Sequence, residues 1–312
     1  MPYHFGNTSF KNYLVASSSP LTESPKRLTC CYEAGFSAAI LKSTADYVKS
    51  GNGYGRKVIY VDDGYYADAS FEREILTLDE GLNLYTSTKK IIPSDMLLIP
   101  SIGASSLDPS AWIKPCNEFV KSGSSILQLD FFYLGTLPHN QLFFEEFQNL
   151  LFSLAELDCI IMPKVNLNFE PSQTFGIIKE SGVKCVSLLD SMREDPDPSF
   201  GLHKGTTSYF GHRQLPFTKN YLKVAKEYGL EVCAGGGITS ITDVYELLKE
   251  GANMIQIASF VLNNGFSAVS ELLGSDSCSS IIHKAINHNP WCDYEDGAEC
   301  ENCGACRKPV KN

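Results

Sequence analysis

The chain has 312 residues, of which 43% are hydrophobic and 20% charged, a composition typical of a folded globular protein rather than a disordered one. Its net charge of −10 and its pI near 5.1 disfavour nucleic acid and anionic lipid as partners, because like charges repel. The N-terminus lacks a basic region followed by an apolar one, and no apolar run approaches the roughly 18 residues of a membrane span. We therefore expect a cytoplasmic protein that binds neither nucleic acid nor membrane.

Eight short apolar runs follow one another along the chain and predict buried strands. They cover residues 13–18, 38–43, 96–103, 126–132, 159–167, 184–190, 231–237 and 254–260. Amphipathic segments lie between them, and the spacing of Ser240 and Asp243 fits the capping box of one such helix. Repeated alternation of apolar strand and helix predicts an α/β fold, a (β/α)8 TIM barrel. An open, doubly wound sheet is the alternative, because periodicity does not reveal whether a sheet closes.

Two connections are much longer than the few residues that usually join such elements. They comprise residues 44–95, after the second strand, and residues 191–217, after the sixth. Both begin at the carboxyl end of a strand, the face that carries the active site in a TIM barrel, and we expect both to act as lids over a ligand. The alternating run at residues 56–62, RKVIYVD, predicts a small hairpin within the first.

A glycine-rich turn, CAGGGITS, joins the seventh strand to the next helix. Its glycines Gly235, Gly236 and Gly237 would let backbone N–H groups approach an anion at a helix N-terminus, although a tight turn alone also requires glycine. The eighth strand ends in the small residues Ala258 and Ser259. Since the loops after strands seven and eight form the usual phosphate site of such barrels, the two together predict a phosphate-bearing ligand.

Two lysines, Lys42 and Lys164, stand at the ends of the second and fifth strands. A lysine at the end of a buried strand needs an anionic partner, whereas a lysine just beyond the barrel rim is merely solvated. Two lysines converging on one mouth suit a flavin, whose N1–C2=O edge gains negative charge on reduction.

These features resemble one known family. The segments FGNTSFKNYLVASSSPLTES, AGFSAAILKS, GNGYGR and AGGGITSITDVYELLKEGANMIQIASF are similar to those of FMN-dependent (β/α)8 barrels of the dihydroorotate dehydrogenase and dihydropyrimidine dehydrogenase group. The resemblance covers approximately residues 5–273. It implies an FMN-binding barrel over residues 1–273, followed by a separate tail at 274–312, and it implies a homodimer, since relatives are often dimers.

The resemblance also implies which residues hold FMN. Ala16, Ser17 and Ser18 match the first-strand segment beneath the flavin, Lys42 and Ser43 the pair near the flavin ring, and Lys164 the second flavin-contacting lysine. The remaining matches lie in the phosphate cradle or at the fourth strand end, and they are Gly211, Gly236, Gly237, Ala258, Ser259 and Asp130. Alanine and serine at 258 and 259 replace the glycine and threonine usual in the family.

The substrate half of the family pattern is not kept. The fourth strand of the family ends in an Asn-rich loop, N-x-S-C-P-N, whose Cys or Ser is the general base. Here Asp130 replaces the first Asn, Tyr133 occupies the position of the base, and Gly135 replaces the last Asn. Asp190 stands where another pyrimidine-binding Asn is expected. Because an ionised Asp only accepts hydrogen bonds, whereas an Asn both donates and accepts, we expect a substrate other than orotate or uracil.

Proton transfer is assigned first to Tyr133 and second to Asp130, with Lys42 as the third catalytic candidate. Asp190 and Lys42 are the candidate substrate contacts. A buried, inert tyrosine is the alternative interpretation of Tyr133. If Asp130 and Asp190 lie close together in a dry site, one of them would stay protonated near neutrality and serve as an acid or base.

The tail contains four cysteines, Cys292, Cys300, Cys303 and Cys306, with the spacing C-x7-C-x2-C-x2-C. This spacing suits a [4Fe–4S] cluster, and tetrahedral zinc accepts the same four thiolates. Paired disulfides fit poorly, because the other seven of the eleven cysteines are scattered through apolar or helical segments, as single thiols of a reducing compartment are. A cluster beside a flavin would provide an electron route to a partner protein.

Together with this resemblance, the sequence implies an FMN-dependent oxidoreductase that transfers hydride between flavin N5 and a C=C bond of a small substrate. Two alternatives stay open: a catalytically degenerate binding or scaffold subunit, and a barrel that binds another phosphorylated ligand.

Overall fold

The structure is a computed structural model that describes residues 3–45, 57–68, 75–134, 141–189, 191–194, 196–203, 205 and 207–274. Asp190, the tail cysteines and the predicted division between residues 273 and 274 lie outside these residues or at their limit. Among them no helix is long and apolar enough to cross a membrane.

The eight predicted strands form a closed parallel barrel. In chain order they are Leu14–Ala16, Ala38–Ile40, Leu97–Ile99 continued by Ser101–Gly103, Ile126–Asp130, Ile160–Lys164, Cys185–Ser187, Glu231–Gly235 and Met254–Ile257. The eighth strand pairs with the first, at Ile255↔Leu14, so the open-sheet alternative is wrong. The third strand is interrupted at Pro100, which lacks an N–H. The half of this strand before Pro100 pairs with strand two, and the half after it pairs with strand four. The TIM barrel is confirmed.

Helices follow the strands on the outside of the barrel. They are Pro25–Glu33, Leu78–Lys89, Pro109–Lys121, Gln141–Ala155, Pro171–Glu180, Leu215–Glu227 and Ile241–Lys249, with two short helices at Ser259–Asn264 and Val269–Leu273. The predicted capping box is present, since Ser240 accepts from the N–H of Asp243 while Asp243 accepts from the N–H of Ser240.

An N-terminal hairpin closes the amino end of the barrel. Its strands, Tyr3–Phe5 and Thr8–Phe10, place Phe5 and Phe10 against the inward side chains at the beginnings of the barrel strands. The Glu231 carboxylate accepts a hydrogen bond of 2.6 Å from the N–H of Gly6 in the hairpin turn. With this end filled by apolar side chains, a ligand reaches the barrel interior from the carboxyl end.

The two long connections combine into one four-stranded antiparallel sheet, which we call the lid sheet. Its strands lie in the order Met192–Arg193, Thr207–Gly211, Gly64–Asp68 and Lys57–Val61. The last two form the predicted hairpin. Gly64 pairs with Gly211, and a Cβ on Gly64 would lie 2.2 Å from the carbonyl oxygen of Phe210, so glycine permits this close pairing.

Arg213 fastens the lid sheet together. Its guanidinium donates to Asp63 at 2.9 Å, to Glu194 at 3.0 Å and to the hydroxyl of Tyr66 at 2.9 Å. It also lies 3.8 Å from the ring centroid of Tyr209, which is fully buried. One side chain thus joins the two insertions by hydrogen bonds and by a cation–π contact.

We expect the substitution Arg213→Met to lower the free energy of opening of the lid sheet by about 1 to 2 kcal/mol, after allowing for solvent screening of this half-exposed network. Amide exchange within Gly64–Asp68 and Thr207–Gly211 should then accelerate by about 5- to 30-fold, which hydrogen–deuterium exchange would measure. The control is Lys121→Met, which removes a single exposed pair with Glu118 and should leave lid exchange unchanged. Equal exchange in the wild type and in Arg213→Met would contradict the assigned role.

Candidate functional site

A deep cavity lies between the carboxyl ends of the barrel strands and the lid sheet. It contains about 1080 Å³ of empty space, including its mouth. The lid sheet covers it with Tyr65, Ala67, Ser208 and Phe210, alternate residues on two paired strands. The rings of Tyr65 and Phe210 stack with centroids 5.0 Å apart, so the cavity has an aromatic wall. Its size and its mixture of apolar and polar walls are those of a small-molecule site.

Most of the residues selected from the sequence meet at this cavity. Its lining includes Ser17, Ser18, Lys42, Asp130, Lys164, Gly236, Gly237, Ala258 and Ser259. Ala16 and Ser43 are not part of this lining: Ala16 is fully buried in the first barrel strand, and the Ser43 hydroxyl donates to Asp130, which does line the cavity. The side chain of Tyr133, and all of Asp190, Cys292, Cys300, Cys303 and Cys306, lie outside the described residues.

The two lysines are nearly inaccessible to solvent. Lys42 is 8% exposed and Lys164 is 5% exposed, while Asp130 is 3% exposed. Asp130 and Lys164 are register partners on adjacent parallel strands, and both line the cavity. Two cationic side chains and one carboxylate thus stand together in the wall of the cavity, where a polar or charged ligand would contact them with little intervening water.

A chain of hydrogen bonds leads from the barrel interior to Asp130. The Ser43 hydroxyl donates to the Asp130 carboxylate at 2.7 Å, and its oxygen lies 3.2 Å from Ser18 Oγ and 3.0 Å from Ser101 Oγ. Ser101 in turn accepts from the side-chain amide of Gln128. Since Ser43 gives its one proton to Asp130, Ser18 and Ser101 must donate to Ser43. The chain therefore presents Asp130 as a hydrogen-bond acceptor.

The glycine turn has two distinct geometric causes. Gly236 has φ +96° and Gly237 has φ +86°, values that disfavour any side chain. A Cβ on Gly237 would also lie 2.3 Å from the backbone nitrogen of Leu215, so part of the glycine requirement is internal packing. Among the described residues, neither glycine N–H donates to another protein atom, and both residues line the cavity. These donors suit an anionic group.

Gly211 is explained by the lid sheet rather than by the cavity. A Cβ there would lie 2.3 Å from the carbonyl oxygen of Asp63 and from the hydroxyl of Tyr209. It borders a separate open groove beside Thr239 and Ser259. Its predicted contact with a phosphate group stays a prediction.

Gln256 contributes to the site but was not among the site residues predicted from the sequence. Its side chain is 2% exposed, donates to Ser187 Oγ at 2.7 Å and accepts from Ser17 Oγ at 3.0 Å. A glutamine within the apolar strand MIQIASF was the available signal, because a buried amide must find partners. Gln128 in ILQLDFF carries the same signal.

No cluster of metal-ligating side chains is present within the described residues, which exclude the tail. Six cysteines of the described part are free thiols. Burial raises the pKa of the Cys31, Cys116 and Cys233 thiols above the ordinary value, and it raises the pKa of Cys185 to about 12. These thiols pack as small apolar groups in the barrel.

No family model matches the chain. The catalytic subunit of dihydroorotate dehydrogenase B (NAD(+)) from Saccharolobus solfataricus is 25% identical over 187 residues, which are 56% of this chain and 61% of that protein. The imidazole glycerol phosphate synthase subunit HisF from Parabacteroides distasonis is 31% identical over 94 residues, 30% of this chain and 37% of that protein. The matches thus span less than two thirds of either relative.

Proposed function

We propose that the protein is an FMN-dependent oxidoreductase that transfers hydride to or from a carbon–carbon double bond of a small substrate other than orotate. One observation carries the proposal: the buried Lys42, Lys164 and Asp130 lie in one lid-covered cavity that the Gly236–Gly237 turn also lines. Similarity to a dihydroorotate dehydrogenase supports an oxidoreductase.

The residues fit FMN at both ends of the cofactor. The glycine turn and the small residues Ala258 and Ser259 leave room and N–H donors for its phosphate. Lys42 and Lys164 supply the positive charge that suits a ring which becomes more negative on reduction. Ser17, fixed by its hydrogen bond to Gln256, lines the cavity near the first strand.

When bound, FMN would supply hydride exchange at N5. The residues of the protein would bind the cofactor and the substrate, orient them and enclose them. Lys42 and Lys164 would stabilise negative charge in a site of low dielectric constant, where such stabilisation is strongest. The lid sheet, with Tyr65 and Phe210 toward the cavity, would exclude water from the reacting bond.

Proton transfer at the substrate is proposed for Tyr133 or Asp130. Asp130 already accepts from the Ser43 hydroxyl and from the N–H of Phe132, so one carboxylate is held in a fixed direction. Tyr133 follows it by one helical turn of the backbone, Phe131–Tyr133. Asp190 is kept as a proposed substrate contact.

The tail cysteines Cys292, Cys300, Cys303 and Cys306 are proposed to hold a [4Fe–4S] cluster, with zinc as the alternative. The described chain ends at Gly274, beside the amino end of the barrel, where the Tyr13 hydroxyl donates to the carbonyl of Leu272. The tail thus begins on the face opposite the cavity. A cluster that serves a flavin would need residues 275–312 to return toward the mouth, or to reach the flavin of a second subunit in a homodimer.

A barrel that binds another phosphorylated ligand is the second candidate. Similarity to a subunit whose name includes a glycerol phosphate favours it. The glycine turn would serve either ligand, whereas the paired lysines beneath an aromatic lid favour a flavin.

One anaerobic purification tests the proposed function. We expect a yellow to brown protein with the two near-ultraviolet and visible bands of an oxidised flavin, and a broad shoulder that dithionite bleaches. Mass spectrometry of the released cofactor should identify FMN, and metal and sulfide analysis should find four iron and four sulfide per chain. Because the cofactor is identified chemically, no substrate is needed.

The variant with serine at all four tail cysteines is the matched control, which should lose iron and keep FMN. A colourless protein that releases a different phosphorylated compound would favour the second candidate, and a colourless protein without ligand would favour the degenerate barrel. A protein that contains zinc in place of iron would contradict the proposed [4Fe–4S] cluster and leave the proposed FMN site unaffected.

A further inference from the structure

A second cavity adjoins the first at the barrel mouth. It contains about 660 Å³ of empty space, and Phe132 and Ser191 line both cavities. Its walls include the buried rings of Phe131 and Phe169, the polar residues Asn166 and Asn168, and Arg193. A ligand of sufficient length could therefore pass from the wall formed by Lys42 and Asp130 into this second space.

The register of the lid sheet turns Arg193 toward the barrel. Arg193 is opposite Ser208, and Ser208 is opposite Ala67. Directly opposed residues in antiparallel strands share a face, and both Ser208 and Ala67 line the first cavity. The other face carries Tyr66 and Tyr209, which pack with Leu202 in a separate cluster. Arg193 is thus placed on the ligand side of the lid by its backbone.

The guanidinium of Arg193 stacks on an aromatic ring and, within the part of the chain that the structure describes, contacts no carboxylate as an ion pair. Its central carbon lies 4.7 Å from the ring centroid of Phe132. Among the described residues it forms no ion pair, whereas Arg213 of the same lid is committed to Asp63 and Glu194. Stacking on a ring orients a guanidinium and leaves its N–H fork available for a planar anion.

The polar neighbours of Arg193 also donate. Asn166 is 7% exposed, and its side-chain oxygen, Oδ1, accepts a hydrogen bond of 2.9 Å from the backbone N–H of Asn168. The amide NH2 of Asn166 makes no hydrogen bond within the described part of the chain. Asn166 and Arg193 therefore offer N–H donors in a cavity whose apolar walls are formed by aromatic and aliphatic side chains. This combination matches a carboxylate on an apolar or ring-shaped body.

We propose that this second cavity binds the carboxylate of an acidic substrate, with Arg193 as its charged partner and Asn166 as a second donor. The inference rests on the proposed function and narrows its substrate class to small unsaturated carboxylic acids other than orotate. The carboxylate would lie beside Phe132, and the reacting carbons would extend past Ser191 toward Asp130 and Lys42.

Calorimetric titration with benzoate and benzamide tests the proposal, because the two probes share a ring and differ in charge. The full-length protein should bind benzoate at least about 10-fold more tightly than benzamide, as expected for a charge-assisted hydrogen bond. Arg193→Gln should weaken the affinity for benzoate by about 10-fold or more and leave the affinity for benzamide unchanged. Arg193→Lys should retain part of the preference for benzoate over benzamide.

Two controls make the result specific. Lys223→Gln removes an exposed cation on the outer helix Leu215–Glu227 and should change neither affinity. Unchanged benzamide affinity shows that Arg193→Gln is folded. The proposal is overturned if the wild type does not prefer benzoate, if Arg193→Gln keeps the preference, or if only Lys42→Gln removes it. Flavin absorbance of the same samples reports the proposed function separately, since Arg193 lies outside the cofactor cavity.

Discussion

On the proposal that the cavity holds FMN, the substitution Lys164→Gln is expected to lower the midpoint potential of the flavin by about 30 to 60 mV. The lysine is 5% exposed and lines the cavity, so its charge acts on the ligand with little screening by water. A hydrogen bond to a charged group is worth about 1.5 to 3 kcal/mol, and about 30 mV corresponds to 1.4 kcal/mol for a two-electron couple. Removal of the charge disfavours the reduced, more negative form. Redox titration against a reference dye would measure the shift.

Lys121→Gln is the control for this experiment. Lys121 ends an outer helix, its side chain is 71% exposed, and it pairs with Glu118, so the potential should not change. Lys42→Gln should shift the potential in the same direction as Lys164→Gln, because both lysines line the same cavity. A wild-type or higher potential in Lys164→Gln would show that this lysine does not face the reducible part of the cofactor.

The substitution Gly237→Ala is expected to cost about 3 kcal/mol of unfolding free energy. If the glycine turn holds the phosphate of FMN as proposed, the substitution should also reduce the amount of flavin that the protein retains. The φ of Gly237, +86°, adds about 1 to 2 kcal/mol for a residue with a Cβ. The new methyl group would lie 2.3 Å from the Leu215 nitrogen and 2.8 Å from its Cα, and such overpacking adds about 1 to 3 kcal/mol. Urea denaturation measures the first effect, and flavin absorbance per chain measures the second.

Gly182 offers a matched control for the backbone contribution. It has φ +79°, and a Cβ there would meet no atom within 4 Å. Gly182→Ala should therefore cost only about 1 to 2 kcal/mol and leave the cofactor content unchanged. Equal losses of stability in the two variants would show that the contact with Leu215 is relieved by a small backbone movement.

Secondary structure near the cavity was predictable because each element leaves a local signal. A run such as ILQLDFF is apolar and continuous, and it forms the strand Ile126–Asp130. The positions of Lys42, Lys164 and the glycine turn followed from topology, since all parallel strands of a barrel place their carboxyl ends on one face. The open sheet was excluded only by the pairing of Ile255 with Leu14, two residues that no local pattern connects.

The glycines of the site show the same difference between what the local sequence predicts and what packing decides. The glycine pattern predicted a phosphate-binding turn at Gly236 and Gly237, which stays a prediction, and their positive φ values show the left-handed backbone that glycine permits. Which contacts require glycine was not predictable, because Gly211 is limited by Asp63 and Tyr209, and Gly237 by Leu215. Those neighbours belong to other elements, so the sequence showed the glycine without its cause.

The sequence by itself determined the order of strands and helices, and the convergence of Lys42, Lys164 and the glycine turn on one face, because hydrophobic period and strand direction are local properties. Whether the sheet closes into a barrel was decided by the tertiary pairing of Ile255 with Leu14. Only the tertiary structure decided that the two insertions form one lid sheet. That sheet depends on the register of Gly64 with Gly211, on Arg213 between them, and on the face to which Arg193 turns. Antiparallel register between segments so distant in the chain arises from packing, and a shift of one residue would reverse every side chain on the lid.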